Sequence, residues 1–174
     1  GLASKNNESE AFLRLSYIYL NDDINKSINY LKKAAYLNNS DAQFYLGYAY
    51  YCGDVIQHDM KKAIYYLELS ANQNNANAQF VLGYLHYYNL KSSNKDKAIN
   101  YLVLASNQKH PDANFQLGQI FYIGLHVKRD ISRSIYYLTI ASDLNNSDAQ
   151  YTLGQIYYTG QYVPQDLKKA FHYF

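Results

Sequence analysis

A seven-residue motif occurs four times in this chain of 174 residues, at nearly constant spacing. Each copy opens with Asp or Asn and continues with Ala, Gln or Asn, an aromatic residue, any residue, Leu and Gly. The copies begin at Asp41, Asn77, Asp112 and Asp148, which are 36, 35 and 36 residues apart. A period between about 20 and 50 residues is typical of stacked repeats, in which one helical or stranded unit buries its apolar face only against its neighbours. The motif therefore predicts a repeat protein.

The motif predicts the first helix of each repeat, which we call helix A. One stripe of a helix with 3.6 residues per turn carries Ala42, Leu46, Gly47 and Tyr50. A glycine in the middle of a helix costs about 1 kcal/mol relative to alanine, so its recurrence indicates a close neighbour at that place. We expect a second helix to press against the internal glycines, which are Gly47, Gly83, Gly118 and Gly154, and against Ser16 at the same place in the first repeat.

Two boundary signals separate helix A from a second helix, helix B. The first is a residue that tolerates left-handed backbone just past the end of helix A; these residues are Gly53, Asn89, Gly124 and Gly160. The second is a side chain that accepts hydrogen bonds from the first N–H groups of helix B; these caps are Asp59, Asp130 and Asp166. Small residues and leucines at helical spacing then predict close packing of helix B on helix A.

The periodic pattern covers residues 9–174, which we interpret as a single repeat domain with units of about 9–40, 41–76, 77–111, 112–147 and 148–174. Residues 1–8 are polar and aperiodic, and they are expected to form a disordered lead-in. The predicted fold class is all-α: a right-handed superhelix, or solenoid, of about five stacked antiparallel helix pairs. The pattern stops at Phe174 within helix B, so the last pair is expected to be truncated.

The repeat unit resembles the Sel-one-like repeat, a member of the tetratricopeptide-repeat-like superfamily, from Ala11 to Phe174. The shared pattern is Ala-Gln-aromatic-x-Leu-Gly-x-x-Tyr-x-x-Gly, then Val-x-x-Asp, then Lys-Ala-x-x-Tyr. That family often has a second glycine in the turn between the helices, where this chain has Val55, His126 and Tyr162. The resemblance implies a protein–protein interaction scaffold or adaptor, of the kind used in endoplasmic-reticulum quality control, bacterial signalling and the interaction of bacterial pathogens with their hosts.

Composition excludes several other classes of protein. The 16 basic and 14 acidic residues are interspersed, without the basic stripe of a nucleic-acid-binding protein. A single cysteine, Cys52, excludes an intrachain disulfide framework. No window approaches the roughly 20 apolar residues of a membrane span, so membrane insertion is not expected. Localisation stays open: a cytoplasmic location is slightly favoured, and a secreted or periplasmic one would require a signal peptide that has been removed.

The sequence does not predict an enzyme, a metal site or a cofactor. The five histidines are scattered over four repeats without the spacing of a zinc site. His86 takes the place of a helix A aromatic residue and is expected in the core. Cys52 precedes the glycine at the end of helix A, where we expect a structural role. Two alternatives to a protein-binding scaffold remain: a carbohydrate-binding module of the cell envelope, and a regulatory docking segment of a longer enzyme.

The predicted binding surface is the concave face of the superhelix. In the geometry of the tetratricopeptide repeat, the helix A residues at i, i+4 and i+7 face this inner wall, and here they are mostly aromatic. Tyrosine offers a large, stiff contact area with a polar tip and is enriched at the energetic centres of interfaces. We expect these residues to hold a peptide or a helix of a partner: Tyr48, Tyr51, Tyr84, Tyr87, Gln119, Tyr122, Gln155 and Tyr158. The truncated end is the expected place for self-association.

Overall fold

The structure is a computed structural model that describes residues 2–89 and 94–174, and every regular element in these two ranges is a helix. Two compact units make up the chain, residues 1–82 and residues 83–174, and the division falls inside the fifth helix. The all-α prediction is confirmed, and the helices follow one another as the predicted pairs. No helix in the described ranges has the length and apolar content needed to cross a membrane.

Ten α-helices and one π-helical segment are present in the described residues. The first five helices are α1 (Leu2–Ile18), α2 (Ile24–Tyr36), α3 (Ser40–Cys52), α4 (Met60–Asn72) and α5 (Ala76–Tyr84). The π-helical segment Leu85–Asn89 continues directly from α5. The remaining helices are α6 (Lys95–Asn107), α7 (Pro111–Ile123), α8 (Ile131–Asp143), α9 (Ser147–Thr159) and α10 (Leu167–Tyr173).

The core of each unit consists of the leucines and alanines of the repeat pattern. In the first unit, α3 buries Ala42 and Leu46 completely, and α4 does the same with Ala63 and Leu67. In the second unit the equivalent leucines of α7, α8 and α9 are also fully buried. A buried leucine side chain contributes about 1.5–3 kcal/mol relative to an exposed one, so this repeated pattern is the main source of stability.

The internal glycines lie where a helix B side chain touches helix A, as predicted. A Cβ atom added to Gly47 would lie 2.9 Å from Cγ of Leu67, and one added to Gly118 would lie 2.6 Å from Cγ of Leu138. At Gly154 the close neighbour is the ring of Phe174. In the first pair, where Ser16 replaces the glycine, Oγ of Ser27 donates a hydrogen bond to the Ser16 carbonyl at 2.7 Å.

The predicted caps are also confirmed. Asp59, Asp130 and Asp166 each accept a hydrogen bond from the backbone N–H three residues later, at 2.9–3.0 Å. Asn39, before α3, accepts the equivalent bond from Ala42 N at 2.9 Å. The residues that follow α3, α7 and α9 have left-handed backbone, as expected for glycine at this place; they are Gly53, Gly124 and Gly160.

The motif glutamine has a role that sequence reasoning missed. Gln43 is buried, and its Nε2 donates to the Ala35 carbonyl at 3.2 Å and to Asn38 Oδ1 at 3.0 Å. Its Oε1 accepts a bond from Gln73 Nε2 at 2.7 Å. One side chain thus joins the end of α2, α3 and the end of α4. Gln79 makes the same pair of bonds with Ala71 and Asn74.

Two boundary predictions are wrong. Residues 2–8, expected to be a disordered lead-in, belong to α1, and Ser9 Oγ donates to the Asn6 carbonyl at 2.9 Å within that helix. The segment 4–8 is exposed, so its sequence lacks the hydrophobic periodicity from which a helix is predicted. Asn89, expected to follow helix A in left-handed conformation, is instead the last residue of the π-helical segment.

Candidate partner-binding surface

Five aromatic rings of α1 and α3 form a continuous cluster in the first unit. The ring of Tyr17 lies 5.8 Å from that of Tyr45, edge to face, and Tyr45 lies 5.2 Å from Phe44. Phe44 is stacked on Tyr48 at 6.0 Å, and Tyr48 lies 6.2 Å from Tyr51. Offset and edge-to-face pairs at these distances are the favoured arrangements of aromatic rings. We call these five residues the tyrosine cluster.

Helical spacing brings the rings of α3 together. Phe44, Tyr48 and Tyr51 occur at i, i+4 and i+7, so they lie along one face of the helix. The phenol rings at the edge of the cluster are open to solvent, with 47% of Tyr17, 43% of Tyr45 and 44% of Tyr48 exposed. Phe44 and Tyr51 are half-buried beneath them. The cluster therefore offers aromatic surface together with phenol hydroxyl groups.

Two phenols of the cluster, those of Tyr17 and Tyr48, have a raised pKa and keep their protons at physiological pH. Burial, together with a hydrogen bond to Tyr45 and the carboxylates of Asp41 and Glu10, raises the pKa of Tyr17. A hydrogen bond with Cys52 is the main cause that raises the pKa of Tyr48. A neutral phenol both donates and accepts hydrogen bonds, so these two hydroxyls suit the backbone of a bound peptide.

Apart from Tyr87, the predicted residues of the second unit lie on α5, α7 and α9. Tyr84 and Tyr158 are exposed, and Tyr122 is half-buried with its ring edge-to-face against Tyr162 at 5.7 Å. Gln119 Nε2 donates to Thr152 Oγ1 at 3.4 Å, across from α7 to α9. Gln155 Nε2 donates to the Tyr151 hydroxyl at 3.0 Å within α9. Both amides are half-buried, and the shorter bond, that of Gln155, orients its amide.

Tyr87 departs from the prediction. Its side chain is 6% exposed, and its ring lies 4.7 Å from that of Tyr88 and 5.8 Å from that of His126. The ammonium group of Lys95 lies 4.4 Å from the centre of the ring and also donates to the Tyr87 carbonyl. Tyr87 lies in the π-helical segment, whose extra residue per turn shifts the register of the stripe. It is a core residue and not part of the exposed surface.

Sequence reasoning missed Tyr17 and Tyr45. Tyr17 follows Ser16 just as Tyr48 follows Gly47, so the alignment of the first repeat with the second would have found it. Tyr45 lies between two positions of the chosen stripe, and its contact with Tyr17 depends on the packing of α1 against α3. That contact joins the rings of two repeats into one surface.

The described residues contain no group of three His, Cys, Asp or Glu side chains arranged to hold a metal ion. His86 is buried, and its ring is stacked on Tyr101 at 5.9 Å, which confirms the prediction of a core histidine. Cys52 is a free, exposed thiol beside Tyr48. The geometry of the site thus offers contact surface, and we find in it no arrangement typical of catalysis.

The Sel1 repeat family model matches residues 9–39, 40–75, 76–110, 111–146 and 147–174, which together span nearly the whole chain. A Sel1 repeat protein from Oxalobacter formigenes is similar in structure, with a TM-score of 0.88 and 28% identity over 96% of this chain and 71% of that one. A protective antigen of uropathogenic Escherichia coli has a TM-score of 0.84 and 23% identity over 95% of this chain and 37% of its own.

An immunity protein of Pseudomonas aeruginosa has a TM-score of 0.53 and 18% identity over 95% of this chain and 79% of its own. At such identity this likeness, like that to the Escherichia coli antigen, shows the fold alone. The chain spans little more than a third of that antigen's length. No curated protein gives a significant sequence match.

Proposed function

This chain belongs to the Sel1 repeat family, and we propose that it is a non-enzymatic adaptor that holds a peptide or a helix of a partner protein against its helix A tyrosines. Proteins of this family typically mediate protein–protein interactions, and their fold is a helical scaffold that generally lacks enzymatic activity. The proposal extends this general role to a particular surface.

The tyrosine cluster is the observation that carries the proposal. Tyr17, Tyr45 and Tyr48 are each more than 40% exposed. The rings of Tyr17 and Tyr45 touch each other, and Phe44 links Tyr45 to Tyr48, so the three exposed rings belong to one contiguous patch. Contiguous exposed aromatic surface with a polar rim is typical of protein interaction sites. Tyrosine also contributes contact area at a low cost in side-chain entropy, since it has two rotatable side-chain angles.

The residues of the second unit support a second contact surface of the same kind. Tyr84 and Tyr158 offer rings, Gln119 offers an amide group, and Gln155 offers an amide group that the Tyr151 hydroxyl already holds in one orientation. Side chains ordered before binding lose less entropy when the partner arrives. Tyr122, on α7 with Gln119, belongs to this second set. In the first unit the proposed contact residues are Tyr48 and Tyr51.

The proposed mechanism is positioning without chemical change. Apolar side chains of the partner would pack on the ring faces, while phenol hydroxyls at the edges would hydrogen-bond to its backbone or polar groups. The hydroxyls of Tyr17 and Tyr48 keep their protons at physiological pH. The hydrogen bonds that they make are therefore expected not to change between about pH 6 and about pH 9.

Replacement of Tyr48 by alanine tests the proposal. The partner would be identified by affinity capture and mass spectrometry, and its dissociation constant would then be measured by calorimetry with the purified chain. Tyr48→Ala is expected to weaken binding by about 2 kcal/mol, or roughly thirtyfold, as for a residue at the centre of an interface. Tyr65→Ala is the matched control, because Tyr65 is 58% exposed on α4, outside the tyrosine cluster.

Equal weakening by the two replacements would contradict the proposed surface. If no protein partner is captured, and if the chain binds a glycan in a way that free sugar competes, the function is carbohydrate recognition and not that of an adaptor. Circular dichroism of both variants would ensure that the helical fold is retained in each comparison.

A further inference from the structure

A small apolar pocket opens beside the tyrosine cluster, between α1, α2 and α3. Its volume is about 190 Å³, far more than the roughly 15 Å³ that a single water needs. Residues of the three helices and of the turns after α1 and α3 line it, among them Ser16, Tyr17, Leu20, Ile28, Ala49 and Val55. The pocket is thus large enough for a branched aliphatic side chain.

The pocket exists because the second repeat has a small residue where later repeats have large ones. Ala49 lies two residues after the internal glycine of helix A. The residues at the same place in the next three repeats fill the core and are almost wholly buried; they are Leu85, Ile120 and Ile156. Ala49 leaves that space empty, and it is itself only half-buried.

The polar atoms at the floor of the pocket are engaged within the protein. Ser27 Oγ donates to the Ser16 carbonyl at 2.7 Å, and Ser16 Oγ donates to the Leu13 carbonyl at 2.6 Å. The other floor residues, Ile24, Ile28 and Leu31, are aliphatic. A polar group placed there would lose its water without gaining a strong partner, whereas an aliphatic group would gain about 25 cal/mol for each Å² that it buries.

The rim of the pocket belongs to the proposed binding surface. Tyr17 and Tyr45 line the pocket and also touch each other in the tyrosine cluster, at 5.8 Å. From Tyr45 the ring contacts continue through Phe44 to Tyr48. A chain segment lying on these rings could therefore place one side chain in the pocket without leaving the surface.

The charges around this surface are mainly negative. The carboxylates of Glu10 and Asp41 act on the phenol of Tyr17, and that of Asp54 acts on the phenol of Tyr48. Arg14 is in an ion pair with Glu10, at 3.1 Å. Asp41 accepts a hydrogen bond from the amide of Asn75, at 2.8 Å, and this neutral donor does not cancel the charge of the carboxylate. Such a rim favours cationic groups on a partner.

We propose that this pocket receives one aliphatic side chain, of leucine, isoleucine, valine or methionine, from a partner segment that carries lysine or arginine beside it. The inference rests on the proposed adaptor function and specifies the chemistry of the segment that the tyrosine cluster binds. The aliphatic side chain anchors the segment, and the basic residues pair with Asp41 and Asp54.

A filled pocket provides the test. A random twelve-residue peptide library would be displayed on phage and selected on the wild-type chain alone. Selected peptides are expected to share one aliphatic residue with Lys or Arg within three positions. Synthetic copies are expected to bind Ala49→Ile at least tenfold more weakly than the wild type. Ser132→Ile, which adds the same side chain on the exposed face of α8, is expected to bind as the wild type does.

The thermal midpoint separates a blocked pocket from a damaged fold. Ala49→Ile fills an existing space with the residue that other repeats carry there, so its midpoint is expected to equal or exceed that of the wild type. Selected peptides that are acidic, that lack an aliphatic residue, or that bind Ala49→Ile unchanged would overturn the inference. Concentration-dependent self-association that Ala49→Ile abolishes would also overturn it, by assigning the pocket to a second copy of the chain.

The two proposals fail in different ways. If Tyr48→Ala weakens binding of the captured partner and Ala49→Ile does not, the adaptor function stands and the proposed role of the pocket is wrong. If neither replacement affects any protein or peptide ligand, both proposals are wrong.

Discussion

At the scale of single residues, each helix B that is followed by another repeat ends with one residue in left-handed backbone. In three of four places this residue is asparagine, which tolerates such a conformation better than other residues with a side chain; these are Asn38, Asn74 and Asn145, with φ of 63–66°. The fourth is Lys109, with φ of 60°. Lysine lacks the short polar side chain that stabilises this conformation locally, so strain is expected there.

Lys109→Asn is expected to stabilise the protein by about 0.5–1 kcal/mol, since it relieves an unfavourable backbone conformation. The measurement is urea unfolding followed by circular dichroism, with a higher midpoint and an unchanged slope. Lys128→Asn is the control, because it removes the same charge from the turn between α7 and α8, where the backbone is not left-handed. Equal midpoints for the two variants would show that Lys109 is not strained.

At the scale of helices, the contact between helix A and helix B depends on the missing side chain of the internal glycine. Around Gly118 the nearest atoms to an added Cβ are Cγ and Cδ2 of Leu138, at 2.6 and 2.8 Å, and the Leu138 backbone N follows at 3.4 Å. Leu138 is fully buried, so it has little room to move. The next residue, Gln119, is half-buried and has no such packing role.

Gly118→Leu is therefore expected to lower the free energy of unfolding by several kcal/mol. Overpacking a core typically costs roughly 1–3 kcal/mol, and the cost here is expected to reach or exceed that range. Gln119→Ala is expected to change the free energy of unfolding by less than about 0.5 kcal/mol, because the side chain makes one long hydrogen bond at 3.4 Å. Thermal unfolding of both variants measures the difference. Similar midpoints for the two would mean that the faces of helix A have been assigned wrongly.

A second helix-scale feature is the cap of α7, where His110 stands in place of the Asn of other repeats. Its Nδ1 accepts a hydrogen bond from Ala113 N at 3.3 Å, so the cap requires an unprotonated Nδ1. Burial lowers the pKa of His110 below its ordinary value of 6.5, against the opposing effect of Asp112. In the unfolded chain the imidazole therefore takes up a proton at a higher pH than in the folded protein.

The contribution of His110 to the free energy of unfolding is thus expected to decrease as the pH falls below about 6.5, because the unfolded state then binds more protons than the folded state. Above that pH both states are unprotonated and the contribution of His110 is constant. His110→Asn supplies a cap that does not titrate. The thermal midpoint of this variant is therefore expected to fall less than that of the wild type between about pH 7.5 and about pH 5.5. Parallel curves for the two proteins would exclude this role of His110.

At the scale of the whole molecule, helices pack chiefly on their neighbours in sequence. In the first unit α1 packs on α2, α2 on α3 and α3 on α4; in the second, α6 to α10 follow the same rule. Such local packing is typical of solenoid folds, and it brings helix A residues of successive repeats close together. The Tyr17 to Tyr45 contact and the pocket beside it are products of this stacking, and the binding predictions for Tyr48 and Ala49 depend on it.

What the amino-acid sequence determined by itself was the local structure: the repeat period, the helix pairs, the aspartate caps, the left-handed glycines and the small residues at the helix contact. Each of these depends on residues within one repeat or at its boundary. The spacing of the motif and the chemistry of Gly53 or Asp59 therefore sufficed to predict them.

Only the tertiary structure decided which side chains of a repeated stripe reach solvent. Tyr51 and Tyr87 occupy the same place in their repeats, yet Tyr51 is half-buried and Tyr87 is a core residue. The π-helical segment shifts the register at Tyr87, and the side chains of Lys95 and His126 lie against its ring. The pocket at Ala49 likewise depends on three helices at once. Exposure and cavities arise from the packing of several elements, and such packing leaves no periodic signal in any one of them.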